Sequence, residues 1–250
     1  MSVKEGNQAL IDKLFKAGAH FGFQKSRRHP SVKPYIFGTK QGTDIFDLEK
    51  AVVLLDEAKS VLNTAGKEGK TVLFVCTKEE TSPLVTESAK KADSPYVTNR
   101  WIGGILTNWN EIKKRIARLF ELTAEGESGE LERKYTKKER VIIGREIDKL
   151  VYNFGGIKNM ERKPDLLLIV DPRHDHIAAT EAREMGVKTV GIMSSDTDVK
   201  MVDYPIVAND ALNTSVTIVL DELVNSYLGG RSEFTPKTER PENKVRGRRV

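Results

Sequence analysis

Two short runs constrain this chain more than anything else in it. Thr71–Val75 and Leu166–Val170 are apolar through their centres. A strand with one wet face alternates polar and apolar residues, so unbroken apolar runs of this length predict strands buried on both faces. Such strands need helices above and below them, which implies a mostly parallel α/β sheet. Helical spacing supplies candidates: Leu48–Thr64, with Val52, Leu55, Ala58 and Leu62 on one stripe and Gly66 and Gly69 at its end; Ser82–Ala92, opening with Ser-Pro; His176–Gly186, with Ile177 and alanines on its apolar side; and Ala211–Leu228, with Leu212, Val216, Val219, Leu220 and Leu223 inward. Tyr96–Val97, Thr189–Met193 and Tyr204–Val207 read as further strands, and Ala9–Ala17 as an N-terminal helix. Tyr35–Phe37 and Ile45–Phe46, around Gln41-Gly42, read as a short hairpin.

The stretch Asn99–Asn110 interrupts this alternation. It carries Arg100, two tryptophans and Gly103-Gly104, and it opens into charged helical sequence before strand-like residues return at Leu166. Asn108 can cap a helix over Asn108–Ala124, with Trp109, Ile112, Ile116 and Leu119 as a narrow seam and Lys113, Lys114, Arg115 and Arg118 elsewhere. Glu125–Gly129 reads as a turn. Thr136-Lys-Lys-Glu139 is a capping box for a second helix, with a seam at Ile143, Ile147, Leu150, Val151 and Phe154, ended by Gly155-Gly156. Neither helix is wide enough for its own core. The expectation is an antiparallel helical hairpin, a coiled coil whose feet are the two glycine pairs.

Charge bears on partners. The 250 residues carry a formal +5, and +4 of it lies in Gly229–Val250, where seven basic residues face three acidic ones. With few apolar residues, that tail reads as disordered until bound. Between Asp12 and Asp44 there is no acid, yet Lys13, Lys16, Lys25, Arg27, Arg28, Lys33 and Lys40 fall there, interleaved with Phe15, Phe21, Phe23, Tyr35 and Phe37. Cations and rings together suit a nucleic-acid surface; here the cations are assigned mainly to a polyanion and the rings mainly to the core. No apolar run approaches the ~20 residues of a membrane helix, and Met1–Lys13 has no secretory h-region. A single cysteine, Cys76, forms no internal disulfide and suits intracellular residence. At the end of a buried strand it reads as inert.

Chemistry is sparse. Ligands of parallel sheets sit beyond the carboxyl ends of the strands. The loops there hold His174, His176, Asp196, Asp198 and Asp203, which could hold a divalent ion, but Asp-rich joints between strands and helices need such residues for capping alone. Capping is the preferred reading, with no metal and no cofactor assigned. Neither Gly-x-x-x-x-Gly-Lys-Ser/Thr nor Gly-x-Gly-x-x-Gly follows a strand. An α/β enzyme or phospho-ligand binder using these loops is therefore the alternative, carried by fold analogy only.

A set of motifs points elsewhere. Ala17-Gly-Ala-His-Phe-Gly22, Tyr35-Ile-Phe-Gly38, Ile45-Phe-Asp-Leu-Glu-Lys50, Arg100-Trp-Ile-Gly-Gly-Ile-Leu-Thr-Asn108, Gly155-Gly-Ile-Lys-Asn-Met160, Pro164-Asp165 and Asp203-Tyr-Pro-Ile206 with Asn209-Asp210 occur in the order seen in ribosomal protein S2, and span Ala9 to about Leu228. The chain resembles that family, and its helical insertion resembles the bacterial and organellar branch. Departures are Phe23 where the family usually has a second His, and Ser194-Ser195-Asp196 with Asp198-Val199-Lys200 where Asp-Thr-Asn and Asp-Pro-Asp are frequent. They remove ligands that a metal there would need.

The resemblance implies a flavodoxin-like parallel sheet with helices on both faces and an inserted coiled coil. It implies a non-enzymatic structural constituent of the small ribosomal subunit in the cytoplasm. The implied partners are small-subunit 16S rRNA and neighbouring ribosomal proteins, including the large mRNA-binding protein, with no membrane and no homo-oligomer. The RNA-contact candidates are Lys25, Arg27, Arg28, Lys33, Arg100, Trp101, Lys113 and Lys114. The expected organisation is 1–47 as an N-terminal helix and basic hairpin, 48–98 with 161–228 as the α/β body, 99–160 as the insertion, and 229–250 as the tail.

Overall fold

The computed structural model describes residues 3–234. The buried apolar runs form the centre of a five-stranded parallel sheet: β4 (Val72–Val75), β5 (Tyr96–Val97), β6 (Leu166–Val170), β7 (Lys188–Met193) and β8 (Tyr204–Val207), in the order β5-β4-β6-β7-β8. All pairs are parallel, with Val72 opposite Leu166 and Leu166 opposite Lys188. Relative to chain order that is 2-1-3-4-5, the flavodoxin-like arrangement, whose strand order reverses beside the first strand. A smaller antiparallel sheet precedes it, formed by β1 (Phe21–Gln24), β2 (Ile36–Lys40) and β3 (Thr43–Phe46), with β3 central. The expected hairpin is β2–β3; the third strand, β1, breaks register against β3 and is too irregular to show alternation.

Each central strand splits its residues between two cores. Val72, Phe74, Leu166, Leu168, Val190 and Ile192 face α1 (Val3–Lys16), α2 (Leu48–Lys67), α3 (Ser82–Lys91) and α8 (Asn213–Ser232). Leu73, Val75, Leu167 and Ile169 face α7 (His176–Glu184) and the inserted helices. Burial on both faces is why the runs contain no polar break. Asp47 caps α2 by accepting from the Glu49 and Lys50 amides. Thr81 rather than Ser82 stands at the cap of α3, without a side-chain bond, so Pro83 occupies the second helical position.

Several expectations are corrected by packing. Gly66 does not end α2. It lies buried inside the helix, where a Cβ would come within 2.3 Å of the Tyr227 carbonyl, and Gly230 of α8 would come within 2.0 Å of the Asn63 carbonyl. The two helices therefore touch backbone to backbone at glycines. The residues 229–232 expected in a disordered tail are the last turn of α8, and Arg231 donates to the Ala92 carbonyl and pairs with Asp93 at 3.1 Å. The tail beyond, 235–250, lies outside the described residues. Leu212 precedes α8 and is exposed, as is Ile177 on α7, whose buried face is Ala178, Ala179 and Ala182.

The insertion consists of α4 (Trp109–Glu127), the short α5 (Glu130–Lys134) and α6 (Lys137–Phe154). Ile112, Ile116, Leu119 and Leu122 of α4 pack with Ile143, Leu150 and Phe154 of α6. Arg118 reaches Glu146 at 3.7 Å, while Asn108 and Ile112 lie beside Leu150 and Phe154. The contacts run in opposite directions along the two helices. Thr136 and Glu139 form the capping box. Val151 is exposed rather than in the seam, because Ile147, Leu150 and Phe154 already complete the buried stripe at spacings of three and four. Asn108 makes no capping bond.

Candidate nucleic-acid interface

The crevice beyond the strand ends, where an α/β ligand would sit, is filled by the chain itself. The β1 residue Phe23 donates its amide to Ser195 Oγ at 2.9 Å, and His29 donates its amide to the Ser195 carbonyl at 2.8 Å. Arg27 and Arg173 both pair with the largely buried Asp196. Lys78 sits 3.4 Å from Asp171, with Asp210 as its strongest electrostatic neighbour. Asp175 accepts from the Thr77 amide and hydroxyl at 2.9 and 2.6 Å. Asp198 caps the turn at Val199–Met201, and Asp203 accepts from the Thr189 amide and hydroxyl. These carboxylates stitch strand ends to neighbouring loops. Among the described residues no three His, Cys, Asp or Glu side chains converge as metal ligands would. Burial pushes the Cys76 thiol up to about 11, which suppresses the reactive thiolate.

Burial also acts on Asp210. It is fully buried, neither carboxylate oxygen has a hydrogen-bond partner, and burial with the nearby Asp171 charge pushes its pKa up to about 7. The opposite case is Asp44, also fully buried. Arg28 donates to both its oxygens, through Nε at 2.7 Å and through Nη2, and Thr39 adds a bond at 3.0 Å. Hydrogen bonding to Arg28 holds the Asp44 pKa below the usual carboxylate range.

That pair changes the status of one contact candidate. The Arg28 guanidinium is spent on Asp44 and Thr39, and its side chain is only 18% exposed. Trp101 changes more: it is buried, and its indole N–H donates to Glu181 Oε1 at 3.2 Å. No ring face remains for a base. The others stay on the surface. Lys25 and Lys33 flank the small sheet, their side chains exposed and without a hydrogen bond or ion pair among the described residues. Arg27 is 55% exposed on its side chain and lies over the Phe23 ring at 4.9 Å. Arg100 and Lys113 are exposed and unpaired among the described residues near the start of α4, and Lys114 pairs with Glu111 one turn away. The candidates thus form two groups, one on the small sheet and one at the foot of the insertion. Of the interleaved rings assigned mainly to the core, Phe15, Phe21 and Phe37 are exposed, and Phe23 and Tyr35 are half-buried. The small sheet has too little interior to enclose those on it, and Phe15 lies on the outer side of α1, stacked on His20.

The residue that organises the insertion was not singled out in the sequence. Glu181 on α7 is buried and accepts from Trp101 Nε1, from the amides of Gly104, Leu106 and Thr107, and from the Thr107 hydroxyl, at 2.8–3.3 Å. One carboxylate closes the whole turn that leads into α4. A signal for it existed: an acid at position 181 shares the alanine face of α7 with Ala178 and Ala182. The second foot is equally tight, since a Cβ on Gly156 would meet the Tyr96 carbonyl at 2.1 Å.

Comparison with known proteins agrees with this architecture. The family model for ribosomal protein S2 matches residues 14–230. The chain is similar to the "Small ribosomal subunit protein uS2" of Picosynechococcus sp., 39% identical over 88% of this chain and 86% of the relative. It is similar to the protein of the same name from Dictyoglomus turgidum, 38% identical over 89% and 90%, and to the "Small ribosomal subunit protein uS2c" of Emiliania huxleyi, 38% identical over 90% and 97%. A match across most of the chain, on a sheet whose ligand crevice is closed by its own side chains, makes this protein a member of the ribosomal protein S2 family, a structural and non-enzymatic one.

Proposed function

We propose that the protein is a structural constituent of the small ribosomal subunit, working in translation on the ribosome in the cytoplasm. It binds 16S rRNA through phosphate contacts and seats neighbouring ribosomal proteins, the large mRNA-binding protein among them. The observation that carries the RNA part is the set of exposed cations, Lys25, Lys33, Arg100 and Lys113, whose side chains have neither a hydrogen bond nor an ion pair among the described residues. Cations held in place by a rigid fold and left uncompensated suit a polyanion. Family membership and the names of the relatives support the same reading. Lys114 and Arg27 join this set, each exchanging an internal partner for phosphate, whereas Arg28 and Trp101 act by holding the two groups in place.

The expected measurement is an affinity for protein-free small-subunit rRNA that falls steeply with salt. Each phosphate contact adds about 0.7–0.9 to the log–log slope, so replacing Lys25, Lys33, Arg100 and Lys113 with Gln lowers it by about 3. An affinity that ignores salt would overturn the reading. The full chain should also remain with small subunits through a salt wash that removes loosely bound proteins.

A further inference from the structure

One groove on the molecule combines seam residues of the insertion with polar side chains that the fold leaves unused. It lies at the foot of the insertion, about 560 Å³ in volume, between the Gly103-Gly104 turn, the start of α4 and the end of α6. Arg115 of α4 and Lys149 of α6 line it from different helices. Among the described residues neither side chain makes an ion pair or hydrogen bond, and neither do the carboxamides of Asn108 and Asn153 in the same wall. The two acids that also line it are already engaged, Glu111 by Lys114 at 2.6 Å and Glu146 by Arg118 at 3.7 Å. The groove therefore presents two cations without a direct ion pair beside two unspent amide groups, and its two acids are each held by a cation outside the lining.

Gly103 adds an independent observation. Gly104 needs to be glycine for its φ of +98°, but Gly103 has no such φ, and a Cβ there would meet nothing closer than Glu181 Oε1 at 3.9 Å. Neither backbone conformation nor internal packing asks for glycine at 103. A missing side chain on a groove wall permits close approach from outside.

Resting on the RNA-binding reading above, we propose that this groove seats one nucleotide of the bound RNA. Arg115 and Lys149 hold its phosphodiester from two sides, the bare backbone at Gly103 admits the sugar, and Asn108 and Asn153 bond the 2′-hydroxyl and base edge. A carboxamide offers both a donor and an acceptor, which a hydroxyl and a base edge can match. An acidic protein segment would meet the amides with its backbone instead, and the test below separates the two.

The test uses the full chain and protein-free small-subunit rRNA. The double variant Arg115→Gln with Lys149→Gln lowers the salt slope by about 1.4–1.8, and Gly103→Leu, which fills the groove without changing charge, lowers affinity by tenfold or more at fixed salt. Wild-type affinity and slope in both variants, with the unmodified chain still binding salt-dependently, overturns the groove and leaves the RNA reading standing. Failure of the unmodified chain to bind RNA overturns both. Loss of incorporation into subunits with an unchanged RNA slope assigns the groove to a protein and also overturns the proposal. Should Gly103→Leu lower the melting temperature, the double variant, confined to exposed side chains, decides the matter.

Discussion

At the scale of single residues, two buried carboxylates behave in opposite ways because one is fully bonded and the other is not. Glu181 accepts five hydrogen bonds, so both of its oxygens are occupied by donors. Replacing it with Gln turns one oxygen into an NH₂ that faces other donors. Glu181→Gln is therefore expected to cost nearly as much as Glu181→Ala, about 3 kcal/mol, measured by urea unfolding. A cost near zero for the Gln variant would show that the turn does not depend on the carboxylate. Asp210 has no donors, and its pKa is raised from 3.8 to about 7. Between those values the native state keeps a proton that the unfolded chain has released. Stability therefore falls as pH rises through this window, by up to a few kcal/mol, and levels off above it. Asp210→Asn removes that slope. Its stability relative to the unmodified chain should improve from pH 4.5 to pH 7.5, and parallel curves would refute the assignment.

At the scale of elements, the insertion is half arm and half core. Its outer helical stretches carry exposed apolar residues such as Phe120, Val141 and Ile142, while Trp109, Ile112, Leu150 and Phe154 belong to the same packed cluster as Leu73 and Leu167 of the sheet. The cut that leaves a folded body therefore lies further out than the glycine feet. Replacing 113–149 with a short Gly-Ser turn should preserve the far-ultraviolet signature of the sheet and a cooperative melt. Removing 101–157 should not, because it strips Trp101, Ile105, Leu106 and Ile157 from one face of β4 and β6. Equal behaviour of the two deletions would refute this division. The loop before α4 is also clamped rather than hinged, since Glu181 and the sheet hold both of its sides.

At the scale of the whole molecule, the small antiparallel sheet sits over the strand ends of the large one. Ser195, Asp196 and Asp198 meet Phe23, Arg27, His29 and Ser31 there. The carboxylates of Asp171, Asp175 and Asp196 at the strand ends are engaged by the chain's own donors. The RNA-binding reading proposed above accordingly rests on cations at the periphery, on the small sheet and at the foot of the insertion. No helix among the described residues is long and apolar enough to cross a membrane.

The parallel sheet, its helices, the capping box at Thr136–Glu139 and the family were legible in the sequence, because apolar runs, helical periodicity and ordered motifs are local patterns. What was not legible depends on residues far apart in the chain. Arg28 and Lys25 look alike as letters, and only the fold sets Asp44 in a two-point pair with the first and leaves the second on the surface, acting on Asp44 by charge alone. Trp101 read as an RNA contact and Phe37 as mainly core; a buried acid 80 residues away holds the first, and the second lies 81% exposed on a sheet with little interior. Gly66 resembled a helix end until α8 was seen to pass within contact of it. Periodicity along the chain decides which face of an element is apolar. What meets that face, and which charges remain without partners, is set by contacts across the fold, which no window of sequence contains.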